Sequence, residues 1–580
     1  MVNGIHSGGS INRIYQKQKA ELTSQQKESV ERDSLAPFNN AYVTPFINVQ
    51  KSNFTKNELN FINYRDKFCE VFGKVSTEYN KASWNFDVNC SEESANTLNI
   101  MNEAYSNIFN DREAYEKFKG FNEKGLKDKH LNEQIKYLLG NFETVLNYSE
   151  NQNTNISSNV SENDIMQVLN SFKSNINGKT VSDNTIFHIL NSEKDLTVLR
   201  KKAYYAKFQA GDAVADQMLQ LVRQRNEIAH AAGYKNFYAM ELERYGTSEE
   251  KLFKLLDDLN EKSDPIYQKI KQKKDADVCK NFGIAPEQIE PHHYYFKNSE
   301  SLDVKVNQFF SKNMLMPAVT KLYNDMGWQI DKMPIETDLF PRENKNGYGM
   351  CYMIEAGKDV RISANLCGNE ESMRTLTHEV GHAVYGLGIK DTLPFLDKNY
   401  ASEVMTEAVA ILAETLPAKE GAYTKLVGMP ENLNNELESS RLEGLACRVK
   451  EFIFYSQFEK QLYENPEQDI PKLWYDLVQK YMGYNPPEEM HNEWATVQMF
   501  LTHPAYTQNY MRAIVMSEQI YDSAREKLGG NLSDNKDTAK FFEDNIFQYG
   551  CSKTEDEILK IVSGKELSSE AFCKQLEKIK

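Results

Sequence analysis

Thr375-Leu376-Thr377-His378-Glu379-Val380-Gly381-His382-Ala383-Val384-Tyr385 is the stretch whose reading decides how the rest of the chain is understood. On an α-helix, the four-residue spacing of His378 and His382 stacks both imidazoles on one face, where one metal ion reaches both. Glu379 follows the first histidine directly. That offset lets its carboxylate approach a water beside the metal without becoming a ligand, the geometry of metal-assisted hydrolysis. Two histidines at this spacing also fall by chance on ordinary helices, so a third ligand must come from elsewhere.

Working outward, Ser402-Glu403-Val404-Met405-Thr406-Glu407 and onward to Glu414 reads as a second helix with acidic residues among apolar ones. Buried carboxylates are costly unless they are paired or bind a metal. Glu403 and Glu407 are one turn apart, and either is placed to face the two histidines. Upstream, Tyr348 to Glu355 and Asp359 to Ser363 flank Ala356-Gly357-Lys358 and read as two short strands around a turn. An exposed strand edge beside a metal site holds an extended peptide through main-chain hydrogen bonds; the plainer reading is a hairpin capping a helical body.

Composition narrows the class. The chain has 580 residues, 40% of them hydrophobic and 11% aromatic, ample for a sizeable core. No run approaches ~18 apolar residues, and the first thirty or so lack the apolar segment of a secretory signal, so no membrane partner and a cytoplasmic location are expected. A formal net charge of -16 argues against a nucleic-acid partner, because phosphate binding needs a basic surface. Arg200-Lys201-Lys202 and the lysines between Lys269 and Lys274 read as solvated helix faces. The eight cysteines are scattered without a Cys-x-x-Cys pair, which argues against a cysteine zinc site and a small disulfide scaffold and reads as reduced, mostly buried thiols.

Residues 1–36 are polar and read as a disordered tail. Beyond them, 37–580 reads as one helical domain, with an N-terminal lobe over 37–335 and a metal-bearing part over 336–580. Apolar residues at helical spacing, Phe61, Tyr64, Phe68 and Val71, open that pattern. An Asn- and Ser-rich loop at 151–163 interrupts it, and Thr247-Ser248-Glu249-Glu250 starts another helix. Asn485-Pro486-Pro487 and Gly529-Gly530 break the C-terminal helices.

Several blocks together resemble the angiotensin-converting-enzyme-like peptidases and, more distantly, the oligopeptidases. They are Ala82-Ser83-Trp84-Asn85, Arg225-Asn226-Glu227 with Gly233 to Tyr238, Asp338 to Lys345, the hairpin, the His378–His382 helix, Thr406-Glu407-Ala408, Leu473-Trp474-Tyr475 and Thr502 to Tyr510. They span roughly residues 60–575. The resemblance implies a mostly α fold, a large two-lobed helical ellipsoid with a deep central cleft and a small β-sheet beside the active-site helix. It implies one Zn2+ per chain on His378, His382 and Glu407, the last lying 25 positions beyond His382. Glu407 is preferred over Glu403 because the family ligand belongs to a Glu-Ala pair, and Glu403 is left as a supporting carboxylate. Glu379 is the implied general base, His503 and Tyr510 the donors to the reacting carbonyl, and Tyr348, Gly349 and Tyr506 substrate contacts.

Four positions depart from the family pattern. Ile411 stands where an aspartate one turn after the ligand often supports the site, and Tyr348 where a histidine contacts the substrate backbone. Leu501 replaces the lysine with which angiotensin-converting enzyme anchors a C-terminal carboxylate, and Asn509 replaces an arginine associated with chloride. Oligopeptides are therefore the expected substrates, cleaved as an oligoendopeptidase or dipeptidyl carboxypeptidase would cleave them, without chloride activation. A carboxypeptidase removing single residues and an inactive peptide-binding protein are the alternatives, and the sequence leaves the oligomeric state open.

Overall fold

The computed structural model describes residues 54–151, 160–192, 194, 196–296 and 302–579. The tail expected at 1–36 and residues 152–159 of the Asn- and Ser-rich loop lie outside them. The described chain is mostly α-helical, with one two-stranded and one three-stranded sheet. Eight helices position the site: α1 (Lys56–Val88), α2 (Gln209–Ala231), α3 (Phe237–Arg244), α4 (Glu370–Gly388), α5 (Glu403–Lys419), α6 (Glu431–Glu464), α7 (Gln498–Thr502) and α8 (Thr507–Leu528).

The strands are β1 (Ser174–Ile176) and β2 (Lys179–Val181), an antiparallel hairpin, and β3 (Ile335–Asp338), β4 (Met350–Glu355) and β5 (Asp359–Ser363). The expected hairpin is β4 and β5, antiparallel with an irregularity between Met353 and Glu355. The sequence did not reveal β3, which pairs parallel to β5 and leaves β4 at the edge. Its four residues are too few to show a strand period.

The long N-terminal helix begins where capping chemistry places it. The Thr55 hydroxyl accepts from Glu58 N and Glu58 accepts from Thr55 N, a reciprocal cap. Its far end docks on the sheet: Trp84 meets the Tyr352 ring edge-on at 5.6 Å, Asn80 Nδ2 donates to Met353 O at 3.1 Å, and Asn346 N donates to Asp87 O at 2.8 Å. The edge of β4 is thus partly covered at Met353, more than an open peptide-binding edge would be.

The long helix after Thr247 starts at Glu249 with Ser248 as its cap, and α8 stops at Gly529, whose φ of 73° is the left-handed close that glycine permits. Two large cores each draw on residues before and after 335. One runs from Val306 through Leu376 and Val409 to Val562, the other joins Val214 and Leu256 to Phe452, Trp474 and Met511. Each fully buried Leu or Phe in them contributes about 1.5–3 kcal/mol of transfer free energy.

Two expectations fail. Arg200 is fully buried rather than solvated, and its guanidinium donates to the carbonyls of Ile189, Leu190 and His292; charge in a run says nothing about which member faces inward. All eight cysteines are free, but only Cys69 and Cys573 are buried, and Cys90 and Cys367 are exposed. No helix among the described residues is long and apolar enough to cross a membrane.

Candidate active site

Two helices bring the candidate ligands together. α4 is capped by Asn369, which accepts from Ser372 N, and α5 by Ser402, which accepts from Met405 N. They cross closely because Gly381 has no side chain: a Cβ there would lie 3.0 Å from Ala410 Cα. That approach sets Glu407 against the histidine face of α4.

The geometry is that of a three-ligand cluster. His378 Nε2 and His382 Nε2 are 3.1 Å apart, Glu407 Oε2 is 3.5 Å from His378 Nε2, and Glu407 Oε1 is 3.6 Å from His382 Nε2. Ligand atoms at the usual 2.0–2.1 Å from a tetrahedral zinc lie about 3.3 Å from one another, so the spacing and the donor set both fit that ion. Among the described residues this is the one such group of three.

Each imidazole is oriented from behind. His382 Nδ1 lies 2.8 Å from Thr406 Oγ1, and His378 Nδ1 lies 3.2 Å from Glu414 Oε2. Partners on Nδ1 that accept a proton leave both Nε2 lone pairs aimed at the common centre. Burial opposes ionisation of Glu414, but His378, Arg374 and Arg441 hold its carboxyl below the usual range. Ile411 is packed between the two large cores. The carboxylate missing at that position is supplied from Glu414, seven residues beyond Glu407 and on the same helix face. That i, i+7 relation was visible in the sequence, whereas the Thr406 contact was not.

Glu379 is 7% exposed. Burial pushes its carboxyl up to about 7; the charges of Glu407 and Glu414 act in the same direction, and His378 and the Cys351 N–H act against it. Gly349 makes room for it: a Cβ there would sit 3.0 Å from Glu379 Oε1 and 2.8 Å from Thr375 Cγ2. On the other flank, the Tyr400 ring lies 6.3 Å from the His382 ring and its hydroxyl donates to His382 O at 3.4 Å. Sequence reasoning missed Tyr400, which sits in an irregular connection between α4 and α5.

α8 packs against α5, and α7 precedes it in the chain. His503 caps α7, and its Nδ1 is 2.8 Å from Thr502 Oγ1; burial keeps the imidazole below its ordinary pKa. Its ring lies 5.8 Å from that of Tyr506, which meets Tyr510 at 5.2 Å and Tyr245 at 5.4 Å. Burial, followed by the charge of Glu407, raises the Tyr510 phenol above its ordinary value, so the hydroxyl keeps its proton. Tyr506 is buried, and burial, followed by the charge of Glu403, raises its phenol above the ordinary value. Of the other positions singled out, Tyr348 is 41% exposed, while Leu501 and Asn509 are buried.

Comparison with known proteins gives concordant matches. Residues 333–578 match the family described as Peptidase family M3, and residues 55–288 match the one described as Angiotensin-converting enzyme. Oligopeptidase PepF of Bacillus subtilis (strain 168) is 22% identical over 430 residues, covering 69% of this chain and 59% of that relative's length. The C-terminal match contains the His378, His382 and Glu407 cluster and the N-terminal match begins at α1, so the two parts of the chain are similar to two families of peptidases.

Proposed function

We propose that this protein is a zinc-dependent peptidase that hydrolyses peptide bonds in oligopeptides. The observation that carries the reading is the convergence of His378, His382 and Glu407 with the Glu379 carboxylate on the adjoining helix turn. Zinc held by His378 Nε2, His382 Nε2 and a Glu407 oxygen would supply Lewis acidity, acidifying water and polarising the scissile carbonyl.

The chain's own groups do the rest. Glu379 takes the proton from the attacking water and delivers it to the leaving amine nitrogen. Tyr510 Oη donates to the oxyanion as the carbonyl becomes tetrahedral, and His503 donates to a substrate carbonyl. Glu414 and Thr406 hold the imidazoles in the tautomer that leaves Nε2 free. Gly349 keeps the start of β4 clear of Glu379, Tyr348 contributes an exposed phenol to the substrate side, and Tyr506 with Glu403 backs Tyr510.

Cleavage-site profiling on a mixed peptide library, with and without chelator, tests the function. Metal-dependent cuts within short peptides are the expected result, and no cleavage at full zinc occupancy would leave a peptide-binding protein. Free-ended peptides compared with C-terminally amidated twins separate the modes. An endopeptidase cuts both, whereas a dipeptidyl or single-residue carboxypeptidase cuts the free acid.

A further inference from the structure

We propose that Arg225 and Glu459 are positioning residues that hold the turn carrying His503, and the first turn of the helix carrying Tyr510, from two sides. This rests on the donor roles proposed above. Neither residue belongs to the candidate metal cluster.

α7 is only five residues long, and the last carbonyls of a helix have no intrahelical donor. Arg225, from the middle of α2, supplies donors: Nη1 bonds Phe500 O at 3.1 Å and Nη2 bonds Leu501 O. The guanidinium is 5% exposed and is itself fixed by the Tyr463 hydroxyl at 3.1 Å, the Glu162 carboxylate at 2.6 Å and the face of Phe237 at 5.6 Å. This gives the Arg225-Asn226-Glu227 and Phe237 blocks of the sequence a task, although they lie far from the metal helix in the chain.

Beyond His503 and Pro504, the chain turns at Ala505 with φ 59°, in the left-handed region that an alanine occupies only when its surroundings hold it there. Glu459 on α6 does the holding. One carboxyl oxygen accepts from Ala505 N at 2.8 Å and the other from the Thr507 hydroxyl at 3.3 Å. Glu459 is 1% exposed. The carbonyls before His503 and the amide after it are thus tied to two buried side chains, Arg225 and Glu459, and the donors inherit their positions from them. Donor placement matters because a shift of about 1 Å at a reacting centre costs on the order of a hundredfold in rate.

The test compares Glu459→Ala and Glu459→Gln in the zinc-loaded protein on one cleaved peptide. Glutamine keeps an acceptor for Ala505 N–H and offers its amide to the Thr507 hydroxyl. The alanine variant should lose about 10–100-fold in kcat with KM within about threefold, while zinc content stays at the wild-type level. The glutamine variant should retain most of the activity. In a His503→Ala/Tyr510→Phe background, Glu459→Ala should cost little more, because the groups it positions are gone.

Wild-type kcat in folded Glu459→Ala, or the same loss in both backgrounds, overturns the proposal. If Glu459→Ala does not fold, Arg225→Lys decides in the same way, a several-fold fall in kcat supporting the clamp and an unchanged kcat refuting it. His503→Ala/Tyr510→Phe is measured first. Full turnover in that variant would refute the donor roles themselves, a result distinct from failure of the clamp alone.

Discussion

The proposed metal-binding side and the proposed donor side of the candidate site are held in place by different means. On the metal side, His378 and His382 are one turn apart on α4, and Glu407 lies on the next helix, brought close by the Gly381–Ala410 contact. Their supports, Thr406 and Glu414, flank Glu407 on the same helix. On the donor side, His503 and the α8 helix are anchored by Arg225 and Glu459, which lie hundreds and tens of residues away in the chain. A locally encoded constellation survives most changes elsewhere in the molecule. A constellation fixed at long range depends on the cores that bring its anchors together.

Several substitutions break or sharpen that contrast. The largest effect is expected on the metal side. Glu407→Ala removes one of three ligands and should abolish stoichiometric zinc, with a loss of activity of at least about a thousandfold; atomic absorption on the purified variant, alongside a peptide assay, reads both. On the donor side, Tyr510→Phe should keep zinc and lose about 10²–10³ in kcat, a split that separates the two sides in one experiment.

Smaller effects distinguish the two histidines. Glu414→Gln should weaken zinc binding about 10–100-fold, measured by competition with a chelator. Thr406→Val replaces a neutral partner and should weaken it less. Equal losses would mean that the charge of Glu414 adds nothing to the orientation of His378.

A separate effect is on stability with pH. Burial pushes the Glu459 carboxyl up to about 8, while the Ala505 N–H, the Thr507 hydroxyl and Arg225 pull it down; the Tyr238 and Tyr463 phenols also face it. The native state therefore keeps a proton that the unfolded chain gives up near 4.5. The stability from this group is complete below that value and is lost as pH rises through about 8. Glu459→Gln should flatten that part of a denaturation profile, and an unchanged slope would place the titration elsewhere.

How much was legible in the sequence follows the same division. The spacing of His378 and His382, the β4–β5 hairpin, the start at Glu249 and the helical content were readable because each depends on neighbours within a few turns. Glu414 was readable in principle, since it lies seven residues beyond Glu407 on the same helix face, whereas Ile411, one turn after the ligand, carries no carboxylate. Strand β3, the buried Arg200 and the Arg225 and Glu459 contacts were not readable, because their partners are chosen by tertiary packing. His503 and Tyr510 stood out only through resemblance, since a histidine and a tyrosine near a helix start carry no spacing signal of their own.

In the proposed function, one zinc on His378, His382 and Glu407, with Glu379 as base, cleaves peptides. The direct measurement strips the protein of metal and titrates zinc back while following cleavage of a single oligopeptide, with Glu379→Gln run in parallel. Activity should return in proportion to zinc up to one ion per chain, and the variant should bind the same zinc with turnover lower by about 10²–10⁴-fold. Cleavage by the stripped protein, or full turnover by zinc-loaded Glu379→Gln, would contradict it.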